Sequence, residues 1–306
     1  MNMSERREAH GGRATAREPG ADGVQRGSPR RDKVWIDGAL VPAHEALVPV
    51  SNHGLTVGDG MFETMKVVGD TAFAITRHLA RLHRTAGGLG LVVPYDDSTL
   101  RDAIRDTIVA NQPGAGWVRV TVAGGPSVSG SVRGDEPAAV VIQCGPATVW
   151  SPAADVVTVP WPRNERGVLA GLKTTSYAEN VVARERAAAE GAEEAIFGNT
   201  VGNLCEGTGS NVFVGIDGQL LTPPLASGCL AGVTRELLLE LELPIAEADV
   251  AMTAFADVDE AFLTSSTRDV QPILAIDGRS VAACPGPLTV EARDAFLALQ
   301  AQNVDP

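Results

Sequence analysis

A lysine, a carboxylate and a helix start follow one another in the middle of this chain. Lys173 ends the apolar run Leu169-Ala170-Gly171-Leu172 and precedes a helix-like segment. Glu206 is followed by small residues and then Asn211, and Gly232-Val233-Thr234 opens a further helix. An amine in apolar surroundings near other cations sheds its proton more readily, which makes it a nucleophile and later a base. A carboxylate can hold a proton on a ring nitrogen through a charge-assisted bond. A helix N-terminus offers free backbone N–H groups to an anion. Each residue also has an ordinary reading. A lone lysine snorkels at the surface, a lone glutamate is a surface acid, and Thr234 is a first-turn residue of its helix.

Together the three features suit the aldehyde, the pyridine nitrogen and the phosphate of pyridoxal 5'-phosphate (PLP). Glu206, Thr208, Asn211, Val212-Phe213, Leu220-Leu221-Thr222 and Leu230-Ala231-Gly232-Val233-Thr234-Arg235 stand in fixed order. The pattern resembles the signature of the class IV (fold type IV) PLP enzymes, and every position matches. This family holds branched-chain aminotransferases, D-amino-acid aminotransferases and aminodeoxychorismate lyase. The resemblance runs from about Val34 to about Leu299 and implies an α/β (α+β) fold of two domains, with the cofactor in the interdomain cleft.

The elements that must position these residues are legible in outline. Residues 1–32 are polar, with almost no large apolar side chains, and are expected to be a disordered tail. A small N-terminal α/β domain is expected over 33–148, a linker over 149–160 and a PLP-binding domain over 161–306. Lys33–Ile36, the turn Asp37-Gly38 and Leu40-Val41 predict a hairpin. In Gly58-Asp59-Gly60-Met61-Phe62-Glu63-Thr64, period-two alternation puts Phe62 and Thr64 on one strand face. Asp59 before glycine reads as turn chemistry. Leu79, Leu82, Ala86 and Leu89 keep helical spacing. Trp117, Arg119 and Thr121 share one face of the next strand, and residues 124–135 form a Gly/Ser loop able to fold over a pocket. Helices are expected over Leu100–Val109, Tyr177–Glu190, Val233–Leu241 and Thr289–Ala301.

The resemblance assigns roles. Lys173 is the catalytic residue that carries the cofactor, and Glu206 holds the pyridine nitrogen. Arg81, in His78-Leu79-Ala80-Arg81-Leu82, reaches the phosphate with Val233, Thr234 and Ser266, and Asn211 completes the cofactor site. His78 reads as structural. Phe62 borders the substrate pocket. Arg119 is either an exposed strand-edge residue or, as in aminotransferase relatives, a receptor for the substrate carboxylate, and the sequence offers Arg268 as a second receptor. Branched-chain aminotransferases place a tyrosine five positions after the lysine, whereas here Tyr177 comes four after it and Ala178 takes the fifth place. The run Lys173-Thr174-Thr175-Ser176-Tyr177-Ala178-Glu179-Asn180 and the loop Ser265-Ser266-Thr267-Arg268 are most similar to the lyase subgroup. The expected reaction is therefore 4-amino-4-deoxychorismate lyase, releasing pyruvate and the folate precursor 4-aminobenzoate. A class IV aminotransferase for branched-chain or D-amino acids is the alternative, and a non-enzymatic PLP-binding homologue the third.

Composition narrows the partners. A net charge of −13 and a pI near 4.8 leave no basic surplus for nucleic acid or anionic membranes. A small-molecule amine or carboxylate substrate must then be met by local arginines. Cys144, Cys205, Cys229 and Cys284 form no Cys-x-x-Cys pair, so no metal is expected. No leader or apolar span is evident, which makes a cytoplasmic protein the expectation. The resemblance implies a homodimer.

Overall fold

Two sheets, one from each half of the chain, meet along a seam that carries the candidate site. The computed structural model describes residues 32–128 and 130–306. The expected tail lies outside the described residues, apart from Asp32.

The first sheet is built from β1 (Lys33–Ile36), β2 (Ala39–Pro42), β3 (Gly60–Val68), β4 (Thr71–Ala72), β5 (Trp117–Ala123) and β6 (Ala139–Gly145), in the order β2-β1-β6-β5-β3-β4. The β1–β2 turn takes positive φ at both Asp37 and Gly38, as a tight hairpin requires. A short α1 (His53–Thr56) leads into β3. Two longer helices, α2 (Ile75–Leu89) and α3 (Asp97–Ala110), cover one face of the sheet. Met61 and Met65 from β3, Leu79 and Leu82 from α2, and Ile104 and Ile108 from α3 share the core between them. The opposite face of β3 presents Phe62 and Thr64, as alternation predicts, and cross-strand pairing sets Thr64 against Arg119 of β5.

The second sheet contains β7 (Ala154–Thr158), β8 (Glu194–Gly198), β9 (Leu204–Gly207), β10 (Asn211–Ile216), β11 (Gln219–Thr222), β12 (Ile245–Glu247), β13 (Glu260–Ser265), β14 (Asp269–Ile276) and β15 (Arg279–Ser280). Their order is β12-β11-β10-β13-β14-β7-β8-β9, with β15 on β14. The helices of this half are α4 (Ala178–Ala189), α5 (Val233–Glu240), α6 (Met252–Phe255) and α7 (Pro287–Gln302). α4 packs on β8, while α5 and α7 pack on β13. The first sheet ends at Gly145 and the second begins at Ala154. The stretch 149–160, read as a linker with a strand over 156–159 inside or after it, carries β7, which runs parallel to both β14 and β8. A strand buried on both faces reads as a short apolar run, and Pro152 and Pro160 around it mimic a linker.

Polar contacts tie the halves together. Lys66 on β3 pairs with Asp269 on β14. Ala74 N–H donates to the carbonyl of Val304 at 2.7 Å. Most telling is the strip Lys173–Thr175, which lies along the open edge of β3. Phe62 N–H donates to Lys173 O at 3.1 Å and Thr175 N–H to Gly60 O at 2.8 Å. Gly60 permits this approach, since a Cβ there would stand 2.8 Å from Thr175 Oγ1 and 2.7 Å from Val122 O.

Candidate active site

The seam encloses a cavity of about 1050 Å³ whose walls include Phe62, Arg81, Arg119, Lys173, Glu206, Asn211, Val233, Thr234 and Ser266. Nine of the ten residues expected from the sequence therefore converge on one space. The exception is Arg268.

Lys173 enters from the strip on β3, with its backbone N–H on Thr85 Oγ1 at 3.4 Å. Its ammonium stands 4.5 Å from the centroid of the Phe62 ring, and the Arg119 guanidinium stands 4.4 Å from the same centroid. Burial, reinforced by the charges of Arg81 and Arg119, outweighs the attraction of Glu63 and Glu206 and brings the Lys173 amine down to about 8. Roughly a tenth is then the free base at pH 7, against well under a hundredth for an ordinary lysine.

Glu206 sits on β9, opposite Phe197 of β8. One carboxylate oxygen accepts from Leu230 N–H at 2.9 Å, and the other faces Arg163 Nε at 3.3 Å. Burial pushes this carboxyl up, and Arg163 and the Leu230 N–H oppose the shift. Arg163 itself lies on the Phe197 ring, 4.1 Å from its centroid, and donates to Asn180 Oδ1 at 2.6 Å. Nothing in the sequence singled Arg163 out. It is a lone cation in a proline-flanked stretch, and only the fold brings it to Glu206.

The far wall is the start of α5. Gly232 stands at its N-cap with no side chain capping the helix, so the first N–H groups are open toward the cavity. A Cβ on Gly232 would come within 2.0 Å of Asn211 Oδ1. Asn211 in turn donates to Leu230 O at 2.8 Å, so its side chain braces the turn that leads into α5. Thr234 is buried beside it.

Arg81 rises from α2 to the same end. Its Nε and Nη2 donate to the two oxygens of Glu63 at 2.8 and 2.7 Å, and Nη1 donates to Ala231 O at 2.8 Å. Glu63 shares the β3 face of Met61 and Met65, where a carboxylate needs partners. Burial would raise it, but Arg81 and His78 prevail and hold it at about 2. Glu63 appears in the sequence motif without an assigned role, and its value is visible only once α2 is laid over β3. His78 Nδ1 meets Glu63 Oε2 at 2.7 Å, and its Nε2 meets Ser266 Oγ at 3.3 Å.

Two expectations change. Arg268 turns away from the cavity and is buried on the second sheet. It donates to Glu194 at 3.1 Å and to Gln271, and stacks 3.7 Å from the Trp150 ring centroid. It is absent from the cavity wall, so the structure does not bring it to the other expected residues. Asp59 is more than a turn residue. It takes a bidentate ion pair from Arg133, 2.7 Å on each oxygen, and a contact from His53 at 3.3 Å. This pair ties the loop over 124–135 down beside β3. Tyr177, without a settled role in the sequence, packs edge-on to Phe62 at 5.4 Å and donates from its hydroxyl to Thr208 O at 2.6 Å.

The family model for class IV amino-transferases matches residues 60–276, which take in β3 to β14 and every cavity residue named above. The chain belongs to the class IV aminotransferase family. A solved branched-chain aminotransferase from Thermoproteus uzoniensis, studied with norvaline, is 32% identical, with a TM-score of 0.80 over 87% of this chain and 94% of that one. A branched-chain amino acid aminotransferase from Thermobaculum terrenum in its PLP form is 26% identical, with a TM-score of 0.79 over 89% and 94% of the two chains. D-alanine aminotransferase of Bacillus licheniformis is 27% identical over 280 residues, 86% of this chain and 95% of the relative. The fold is thus the mixed α/β fold of the fold type IV PLP aminotransferases. Among the described residues, no helix is long and apolar enough to cross a membrane, and no group of His, Cys, Asp or Glu is arranged to hold a metal ion.

The class IV cofactor fits the residues present. Amine, carboxylate and uncapped helix start line one cavity. The Thr264 hydroxyl, on the same wall, is buried without a partner of its own. Arg81, Arg119, Arg163 and Lys173 line the cavity against Glu179 and Glu206, with Glu63 paired behind Arg81, which leaves a slight cationic balance inside an acidic chain.

Proposed function

We propose that this chain is an aminotransferase that moves the amino group of an α-amino acid to a 2-oxo acid, with pyridoxal 5'-phosphate as its cofactor. The observation that carries the reading is the single unpaired arginine of the cavity. Among the described residues Arg119 has no ion-pair partner, and its Nε donates only to Thr64 Oγ1 at 3.0 Å. It stands over the same ring as Lys173. One guanidinium beside one amine suits a substrate with one carboxylate next to its amino group. The lyase expectation rested on the run after Lys173 and the loop Ser265-Ser266-Thr267-Arg268, with Arg119 and Arg268 offered as receptors for two substrate carboxylates, and Arg268 is paired with Glu194 instead. The relatives named above are aminotransferases.

The cofactor supplies an aldehyde that condenses with amines and a pyridinium ring that accepts the electron pair left when an α-proton departs. Lys173 would carry the cofactor at rest. Once freed, its neutral amine takes the α-proton and returns it at a different carbon, which is the step that separates amino acid from oxo acid. Glu206, steadied by Arg163 and Leu230 N–H, would keep the ring nitrogen protonated. Arg81, the N–H groups of Val233 and Thr234, and the hydroxyls of Thr234 and Ser266 would hold the phosphate. Arg119 would orient the substrate carboxylate, and Phe62 would wall the cavity against water. The phenol of Tyr177 is committed to Thr208 O.

Val57, Val168 and Leu169 are exposed where they line the cavity, and Leu47, Val50 and Leu55, in the stretch up to and within α1, are exposed as well. A second copy of the chain is the proposed cover for them. Sedimentation of the holoprotein should show a dimer, and a fully active monomer would exclude this.

The deciding experiment offers the PLP-loaded protein a panel of L- and D-amino acids with 2-oxoglutarate or pyruvate. Aminodeoxychorismate is run in parallel. Expected are bleaching of the visible cofactor band by an amino acid, one oxo acid released per amino group taken, and no joint release of pyruvate and 4-aminobenzoate. Lys173→Ala should lose both the band and the turnover. Equal release of pyruvate and 4-aminobenzoate, lost in Lys173→Ala, would establish the lyase instead.

A further inference from the structure

Beneath the phosphate end of the cavity lies a buried relay whose hydrogen-bond polarity conflicts with an anion unless a proton is added. Glu63 lies on β3, His78 and Arg81 on α2, and Ser266 in the turn after β13. The ionised Glu63 carboxylate has no hydrogen to give, and it accepts from His78 Nδ1 at 2.7 Å as well as from Arg81. The hydrogen in that contact therefore belongs to His78 Nδ1. A neutral imidazole then carries a bare lone pair on Nε2. The Ser266 hydroxyl, 3.3 Å away, must donate to it. Ser266 is left facing the cavity with lone pairs only, and a phosphate oxygen placed against it would meet an acceptor.

We propose that His78 takes up a proton from solvent when a phosphate dianion is seated, and that Glu63, His78 and Ser266 act as a polarity relay for that anion. A new N–H bond forms at Nε2. His78 then donates at both nitrogens, to Glu63 and to Ser266 Oγ, which frees the Ser266 O–H to donate into the cavity. His78 is a positioning residue here, acting through Ser266. The inference rests on the proposed placement of the cofactor phosphate beside Arg81 and α5.

The charges around His78 set the direction of the switch. Burial disfavours the imidazolium, Glu63 on β3 favours it, and Arg81 on its own helix and Lys173 from the strip disfavour it. Without an anion the balance holds His78 below the ordinary histidine range. A dianion one hydroxyl away adds an attraction, so the bound state holds the proton to higher pH. Affinity for the phosphate is then strongest at low pH. It weakens by at most about tenfold per pH unit as pH rises between the free and bound midpoints.

The test compares apoprotein titrated with pyridoxal 5'-phosphate and with 5'-deoxypyridoxal, whose aldehyde has no hydroxyl to close on, by calorimetry at pH 8, in buffers of different ionisation heat. The phosphate is already a dianion in solution at that pH. The two ligands share ring, aldehyde and condensation with Lys173, so those proton changes cancel in the difference. Roughly one extra proton per chain should be taken up with the phosphate ester. His78→Gln should abolish that excess. Ser266→Ala, which keeps the histidine, should lower the preference for the phosphate ester by roughly tenfold or more. Equal proton uptake for the two ligands, or an excess that survives His78→Gln, would overturn the relay and leave the functional reading intact. No binding of pyridoxal 5'-phosphate at all would overturn that reading as well.

Discussion

Arg119 and Arg268 are two arginines hidden in one molecule, and they do opposite work. Arg268 lies on a buried carboxylate, Glu194, and on the Trp150 ring. Arg119 lies on Phe62 and a threonine hydroxyl, and no carboxylate has come to it. A guanidinium in an apolar place keeps its charge, so something must answer it. Where the fold supplies the answer, the arginine is a structural bolt. Where it does not, the arginine is a receptor for a carboxylate from outside. Burial lowers both below their ordinary range. Burial alone therefore does not distinguish them, and the partner does.

The widest separation between the two is in stability. Arg268→Met takes from buried Glu194 its nearest cation, leaving Arg184 at 3.8 Å and the Thr208 and Ser210 donors, at a cost of up to about 3–5 kcal/mol, or a fall in Tm of up to the order of 10 °C. Arg119→Met should move Tm by a small fraction of that. If thermal unfolding finds the two variants alike, the contrast collapses. The double variant Arg268→Met/Glu194→Gln removes both charges and should recover most of the loss.

Activity should show the reverse order. Arg119→Gln removes a charged bond to the substrate of about 1.5–3 kcal/mol, a fall of roughly 10- to 100-fold in kcat/KM for the preferred amino acid. Where Arg268→Met still folds, it should retain most of its turnover.

A finer distinction lies in pH. Lys173 is held at about 8 against 10.5 for a free lysine. The neutral amine captures the cofactor, so capture by the apoprotein should quicken as pH rises and level off above about 8. Because the folded value is depressed, the unfolded chain binds the extra proton between about 8 and 10.5, and Lys173 adds stability as pH climbs through that window. Arg119→Gln removes one charge that disfavours the ammonium and should shift the capture midpoint upward. Arg268→Met should leave it in place. A midpoint that ignores Arg119 would show that the two cations do not feel each other across Phe62.

The smallest effect belongs to a third arginine. Arg133 is 42% exposed, and its ion pair with Asp59 should contribute less than about 1 kcal/mol to stability. Arg133→Ala should change Tm little, and protease cleavage within 124–135 should report the freed loop.

The sequence shows one side of such pairs more readily than the other. Period-two and helical spacing place β3, β5, α2 and the cavity residues they carry, because local sterics dictate them. Lys173, Glu206 and the start of α5 are legible because phosphate, ring and aldehyde demand fixed residue types. The fate of Arg268 is not legible. Its partner Glu194 sits 74 positions away, and pairing follows from β14 and β8 both flanking β7. β14 escapes notice for a related reason: Pro272 within it argues against a central strand, and Arg268-Asp269, where it begins, reads as loop. Arg163 and Glu63 are missed because a single charge in a proline-flanked or apolar run has no periodicity to give it away.

The strip Lys173–Thr175 carries a last consequence. It belongs by chain order to the second half yet is stitched, backbone to backbone, onto the edge of the first sheet. The reactive amine is thus aimed by a sheet that its own neighbours in sequence do not build. Its alignment is a property of how the halves dock and is only as durable as that docking. In rising denaturant, catalysis should vanish while the circular dichroism of both sheets is still intact, so that the enzyme falls silent before it falls apart.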